Sequence, residues 1–158
     1  MSNFPSNLTN RGSAYLKKGD YEKASADYEK AIEQQPDYAD AWRLGALAYA
    51  RLGQHDKART AAERANALNA AAEPFMQLSG EYYSMAFQAF DNKLPLDTAI
   101  FLLETSAGYN PGNAEIWLNL AGIQRQLGKM DKAREYAQKA LALDPNNGQA
   151  KLFLSQIQ

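Results

Sequence analysis

The chain has 158 residues, 46% of them hydrophobic, with 17 basic and 18 acidic side chains and a formal charge of −1. That length is enough for one ordinary domain with its own core, and the near-zero charge gives no field to draw in nucleic acid or an anionic membrane. The absence of cysteine excludes disulfides and thiolate metal sites and fits a reducing compartment.

The opening MSNFPSNLTN has no basic stretch followed by an apolar run, so it does not read as a secretory signal. No segment approaches the roughly 18 apolar residues of a membrane span. These features together point to a cytoplasmic protein that is not inserted in a membrane. From there the chain divides into units. Tyr15 to Tyr49, Gly19 to Gly53, Ala24 to Ala58, Ala99 to Ala133 and Pro111 to Pro145 are each separated by 34 residues, and Trp42 to Met76 repeats a large apolar residue at the same interval. Only Ala58 to Ala99 departs, at 41. A fixed period of this size marks a repeat architecture in which each unit cannot bury its apolar face alone.

The first unit spans about 5–38. The second, 39–72, begins with the helical stretch ADAWRLGALAYARLG, which carries Trp42, Gly45, Ala46 and Tyr49 on one stripe. Its second helix, DKARTAAERANALN, turns Ala58, Ala62 and Ala65 inward. Gly or Asp separates the two helices of each unit. The third unit, 73–113, holds seven extra residues, and the fourth spans 114–147. Small residues at Gly12, Ala46, Gly80 and Ala121 are expected to let paired helices approach closely. The tail GQAKLFLSQIQ, with Ala150, Phe153, Leu154 and Ile157 on one face, is expected to form a capping helix over about 148–158.

Catalytic chemistry is sparse. His55 is the one histidine and lies in a turn, the carboxylates near Asp20 and Glu29 alternate with lysines as on a solvated helix face, and no phosphate loop or metal spacing is present. The reading is a non-enzyme that needs no cofactor or metal.

These repeats resemble the tetratricopeptide repeat family. The first unit matches its pattern through Gly12, Tyr15, Ala24, Tyr28, Ala31 and Pro36, and the fourth through Trp117, Leu120, Ala121, Ala133, Ala140 and Pro145. Ala62, Ala70 and Gln124 depart from it. The resemblance implies an all-α, right-handed solenoid of four helix-turn-helix repeats plus the cap, a single domain over 1–158. It also implies a concave groove, lined by the first helices, that takes a peptide or protein partner. By phase, the groove residues are Lys17, then Arg43, Leu47 and Arg51, then Gln77, Glu81 and Met85, then Leu118, Asn119 and Arg125. Thr9, Ser13, Leu16 and Gly122 lie on the same side. Chaperone-binding members grip a C-terminal carboxylate with Lys, Asn and Arg side chains. The matching positions here are Thr9, Ser13, Leu44, Pro74 and Leu78, so the tails of heat-shock chaperones are not expected as partners.

Seven extra residues equal two helical turns, which would lengthen the first helix of unit three without rotating its inner stripe of Met76, Gly80, Tyr83, Phe87 and Phe90. Asp91 and Asn92 end the helix. The unit is acidic, with Glu73, Glu81, Asp91, Asp97 and Glu104 against Lys93, and it holds seven of the seventeen aromatics. Two readings follow. Phe87, Phe90, Leu94, Leu96 and Ile100 form a small private core, or Tyr82, Phe87 and Phe90 form a projecting lip that holds a partner or a second copy of the chain. The functional reading is a scaffold or adaptor, and the alternative is a building block that self-assembles through the extended unit.

Overall fold

The structure is a computed structural model that describes residues 4–157. The described residues are helical throughout, without strands: α1 Pro5–Lys18, α2 Tyr21–Gln34, α3 Ala39–Arg51, α4 His55–Leu68, a 3-10 turn at Ala70–Ala72, α5 Pro74–Asp91, α6 Leu96–Tyr109, α7 Ala114–Gln126, α8 Met130–Leu143 and α9 Gly148–Gln156. The tail helix is thus described to Gln156, and Gln158 of the expected cap lies outside the described residues. The chain divides into two compact units, Met1–Glu81 and Tyr82–Gln158, and α5 contributes to both.

The first unit is built from helix hairpins. α1 packs on α2, α2 on α3 and α3 on α4, and α1 also meets α3. Pro5 opens α1, where its missing N–H costs nothing, and Gly19 closes it in the left-handed region at φ 79°. There the Gly19 and Asp20 amides bond back to the Leu16 and Tyr15 carbonyls. Tyr28 of α2 is fully buried and fills the space opposite Gly12: a Cβ on Gly12 would come 2.8 Å from the Tyr28 ring. Ala24, Tyr28 and Ala48 form one cluster, and Leu8, Ala31 and Ala41 another. Arg11 donates two hydrogen bonds, at 2.7 and 2.6 Å, to the buried carboxylate of Asp27. That fork satisfies both oxygens of a charge that would be costly to bury alone.

In the second unit α6 packs on α7, α7 on α8 and α8 on α9. Ala121, Ala133 and Ala137 meet Phe153 and Ile157, so the apolar side of the tail covers the fourth repeat. Asn147 caps α9 by accepting from the Ala150 amide at 2.9 Å, and Arg134 donates to the Ile157 carbonyl at 2.8 Å. The tryptophans play matching parts. Trp42 Nε1 donates to the Pro36 carbonyl at 2.9 Å, and Trp117 Nε1 to the Pro111 carbonyl at 2.8 Å. Each ring ties a first helix to the turn before it.

The extra seven residues are not two whole turns. α5 has 18 residues where α3 and α7 have 13, so the helix takes five. The connection before it, 69–73, and the turn after it, 92–95, are each one residue longer than their counterparts in the second repeat. Lys93, at φ 55°, occupies the left-handed position held by Gly53 and Gly128 in the neighbouring repeats. Counted back from that turn, Tyr82 stands where Trp42 and Trp117 stand, and Ala86 where Ala46 and Ala121 stand.

The inner face of α5 is therefore one residue earlier than the 34-residue count implies. Leu78, Ser79, Tyr82, Ala86 and Ala89 are buried. Met76 is 52% exposed and Phe87 42% exposed, and a Cβ on Gly80 would meet nothing within 4 Å. Gly80 is thus not a point of close helix approach. Ala86 and Ala89 supply the small residues that close packing demands. The private core does not form as expected, because Phe87 and Leu94 are exposed and Phe90, Leu96 and Ile100 only half-buried. In place of that core, the buried residues on either side of the turn are Ala86 and Ala89 on α5 and Ala99, Leu102 and Leu103 on α6.

Candidate protein-binding faces

Residues four apart on a helix point the same way, so Arg43, Leu47 and Arg51 form one row on α3. In the first unit this row meets the start of α5. Arg43 donates to Gln77 Oε1 at 2.6 Å and to Asp40 Oδ1 at 3.2 and 2.9 Å. Arg51 forms an ion pair with Glu81, and its guanidinium lies 5.8 Å from the centre of the Tyr21 ring. The two arginines expected to hold a partner's carboxylates are already engaged by Asp40 and Glu81. Leu47 is half-buried in the middle of the row, and Lys17 is exposed on α1.

The second unit repeats this pattern with different chemistry. Asn119 Nδ2 donates to the Tyr83 hydroxyl at 2.9 Å. Arg125 donates to Gln156 Oε1 at 3.1 Å and sits 4.5 Å from the centre of the Phe153 ring. Leu118 packs against the Ala121 and Phe153 cluster, and Met85 is half-buried. The repeat period thus pairs first helices: Arg43 with Gln77, Arg51 with Glu81, Asn119 with Tyr83. These partners lie 34, 30 and 36 residues apart. Of the expected lip, Tyr82 is fully buried, stacked on Tyr109 with ring centres 5.9 Å apart, and cannot touch a partner. Phe87 remains exposed and packs beside Tyr83 and Phe90. Phe101 and Leu94, each 48% exposed, lay outside the sequence-derived candidates. The signal that could have found them is the helical stripe Asp97, Phe101, Glu104, which carries charge on both sides of the ring.

Several phenols carry the electrostatic signature of this packing. Tyr49 donates to Glu29 Oε1 at 3.0 Å, and burial together with that carboxylate raises its pKa. Burial, then Glu115, pushes Tyr83 up to about 12 against the opposing effect of Asn119. Burial, then Glu104, pushes Tyr136 up to about 12. Each folded value lies above the ordinary 10 of the unfolded phenol, so the unfolded chain gives up these protons first. Their contribution to stability is complete below pH 10 and is lost as pH rises to about 12. We expect the denaturant midpoint to fall over that window and Tyr83→Phe and Tyr136→Phe each to blunt the fall; a fall undiminished in both variants would contradict these assignments.

Hollows of about 260 Å³ lie beside Trp42, Tyr49 and Lys57 in the first unit and beside Pro111, Trp117 and Lys139 in the second. Both are smaller than the roughly 300–1,000 Å³ of small-molecule sites. Among the described residues no group of three or more His, Cys, Asp or Glu is placed to hold a metal ion, and no helix is long and apolar enough to cross a membrane.

Comparison with known proteins accounts for this architecture. Three tetratricopeptide-repeat family models match residues 12–53, 40–71 and 96–157; the extended helix α5 lies in the interval between the matches. Protein O-mannosyl-transferase TMTC1 of Homo sapiens is 29% identical over 126 residues, covering 80% of this chain and 14% of that protein. An uncharacterized protein of Methanocaldococcus jannaschii is 52% identical over 42 residues, 27% of this chain and 49% of that protein. The chain thus spans less than half the length of these curated relatives. Among solved structures, the MamA protein superposes with a TM-score of 0.50 at 19% identity, covering 99% of this chain and 82% of that one. A MamA double mutant gives 0.52 at 18% identity over 97% and 82%. This is a fold of protein–protein interaction scaffolds. From the 34-residue period, the helix hairpins and these matches, the chain belongs to the tetratricopeptide-repeat family.

Proposed function

We propose that the chain is a non-enzymatic adaptor whose first helices hold a segment of another protein, as four repeats with a capping helix. The observation that carries this is the α3 row. Arg43 and Arg51 are fixed by Asp40, Gln77 and Glu81, which leaves Leu47 as a half-buried apolar seat between two immobilised guanidinium groups. A preorganised seat of this kind loses little side-chain freedom when a partner arrives. Leu118 beside Asn119 offers the corresponding seat in the second unit. The matched part of the O-mannosyl-transferase is a small share of that protein, and no mannosyl transfer is assigned to this chain.

The test is to immobilise the chain and quantify what it retains from an extract of its source cells. The double variant Leu47→Glu, Leu118→Glu is expected to lose the retained set by at least about tenfold, equal to 1.4 kcal/mol, with its helix signal intact. Lys57→Ala and Lys132→Ala, on second helices, are expected to retain it. The opposite pattern would overturn the assignment to first helices. A mass that rises with concentration in size-exclusion chromatography with light scattering would favour self-assembly instead.

A further inference from the structure

In the second unit, the seat on α7 has an open floor and a charge that the first unit lacks. Leu118, Gly122 and Arg125 follow one another at four and three residues, so they share one face of the helix. Two contacts carry that face on to α9. Arg125 donates to Gln156 Oε1 at 3.1 Å, and Leu118 packs against the cluster that holds Phe153. Leu152 and Gln156 stand one 34-residue period beyond Leu118 and Gly122 and continue the row, with Leu152 59% exposed. Gly122 lies inside a helix, where glycine is less stable than alanine, yet a Cβ there would meet nothing within 4 Å. Internal packing does not require this glycine, and the space over it lies one turn from Leu118 on one side and from Arg125 on the other.

The arginines of the two units differ in what holds them. Arg43 is paired with Asp40 and Arg51 with Glu81. Arg125 has no carboxylate partner among the described residues: its bond is to the neutral amide of Gln156, and its guanidinium sits over the Phe153 ring. Stacking on a ring leaves the edge of a guanidinium open to bidentate donation. Lys151, next to Leu152, adds a second exposed cation. The acidic residue of α7, Glu115, lies at the far end of the helix beside Tyr83, ten residues or about 15 Å from Arg125 along the axis. A partner that covered Arg125 without bringing a carboxylate would leave its charge desolvated and unpaired, and a basic partner would add repulsion. We propose that the second-unit seat takes an acidic, apolar segment of the partner. A bulky apolar side chain enters the space over Gly122 and packs on Leu118 and Leu152, and a neighbouring aspartate or glutamate side chain is held by Arg125. This deepens the first-helix reading and rests on it.

The probes are three acetylated and amidated peptides of about ten residues, with leucine and serine in one fixed pattern and glutamate, glutamine or lysine at the same two positions. Isothermal titration calorimetry reads their binding at about 0.05 and 0.5 M salt, where the screening length falls from over 10 Å to about 4 Å. The glutamate peptide is expected to bind, less well at high salt, the glutamine peptide at least about tenfold more weakly, and the lysine peptide not at all. Arg125→Gln should remove the preference for glutamate over glutamine, and Arg125→Lys should restore part of it. Gly122→Leu fills open space and favours the helix, so it should weaken both peptides at least about tenfold with the helix signal intact and no lower thermal midpoint. Leu152→Ser should also weaken both, and Phe4→Ser, at an exposed apolar position in the first unit, should change nothing. Equal binding of the three peptides, binding of none, or Arg125 variants that keep the preference would overturn the proposal. So would a glutamine peptide with a free C-terminal carboxylate that binds as well as the glutamate peptide, since Arg125 would then hold a chain end. Retention from the extract distinguishes failure here from failure of first-helix binding altogether. If Gly122→Leu and Arg125→Gln keep the set that Leu47→Glu, Leu118→Glu loses, the acidic segment is wrong and the first helices stand. If that double variant keeps the set as well, first-helix binding is wrong.

Discussion

Tyr28→Ala is expected to cost the first unit about 3–5 kcal/mol, the usual loss for truncating a large buried aromatic. The ring has no exposed surface, joins Ala24 and Ala48 in one cluster, and its hydroxyl lies 3.3 Å from Ser13 Oγ. Removing it loses apolar burial and leaves a cavity opposite Gly12, a backbone position that cannot move in to fill it. Gly12→Leu is the same lesion from the other side. A Cβ there already comes within 2.8 Å of the ring, so overpacking should cost about 1–3 kcal/mol. The two should be strongly non-additive, because the leucine would enter the space that Tyr28→Ala vacates. Urea denaturation of the two single variants and the double variant measures this directly. Additive losses would show that the Gly12–Tyr28 contact does not close the hairpin.

The second large effect is expected at Tyr82. Tyr82→Ala should destabilise by about 3–5 kcal/mol, because the ring is fully buried and stacks on Tyr109 with an interplanar angle of 13°. Phe87→Ala, in the same helix, should cost under about 1 kcal/mol, the range of surface substitutions. The comparison discriminates sharply because the 34-residue count assigns the two residues opposite places. A larger loss at Phe87 than at Tyr82 would mean that α5 is turned by one residue from the orientation described above.

The period of 34 made the helices legible because each repeat must bury the same face against the same neighbours. It located every helix pair, both tryptophan stripes and the small residues Gly12, Ala46 and Ala121. It failed at α5 for a specific physical reason. Two added helical turns presume that all seven extra residues lie within the helix, but one of them is in the α5–α6 turn, where Lys93 takes the left-handed conformation. The register therefore slips by one, and Tyr82 exchanges roles with Tyr83. A sequence clue was present: Ala86 fits a close-packed position and Phe87 does not. At the candidate faces, the sequence placed Arg43, Arg51, Gln77 and Glu81 on one side but not in contact with one another. Cross-repeat pairing depends on how far successive helices are offset, and spacing along the chain does not contain that offset. The departure at Gln124 was visible, but its consequence was not: the side chain is buried, and its Oε1 has no hydrogen-bond partner among the described residues.

Protein partners are expected to bind the first helices. The most direct test is photo-crosslinking in an extract of the source cells, with a photoreactive phenylalanine placed in turn at Leu47, Leu118, Thr60 and Gln138. The first two positions lie on the first helices α3 and α7, and the last two on the second helices α4 and α8. Discrete crosslinked products from positions 47 and 118, competed by unlabelled chain and missing at 60 and 138, are the expected result. Products at 60 and 138 with none at 47 and 118 would contradict it.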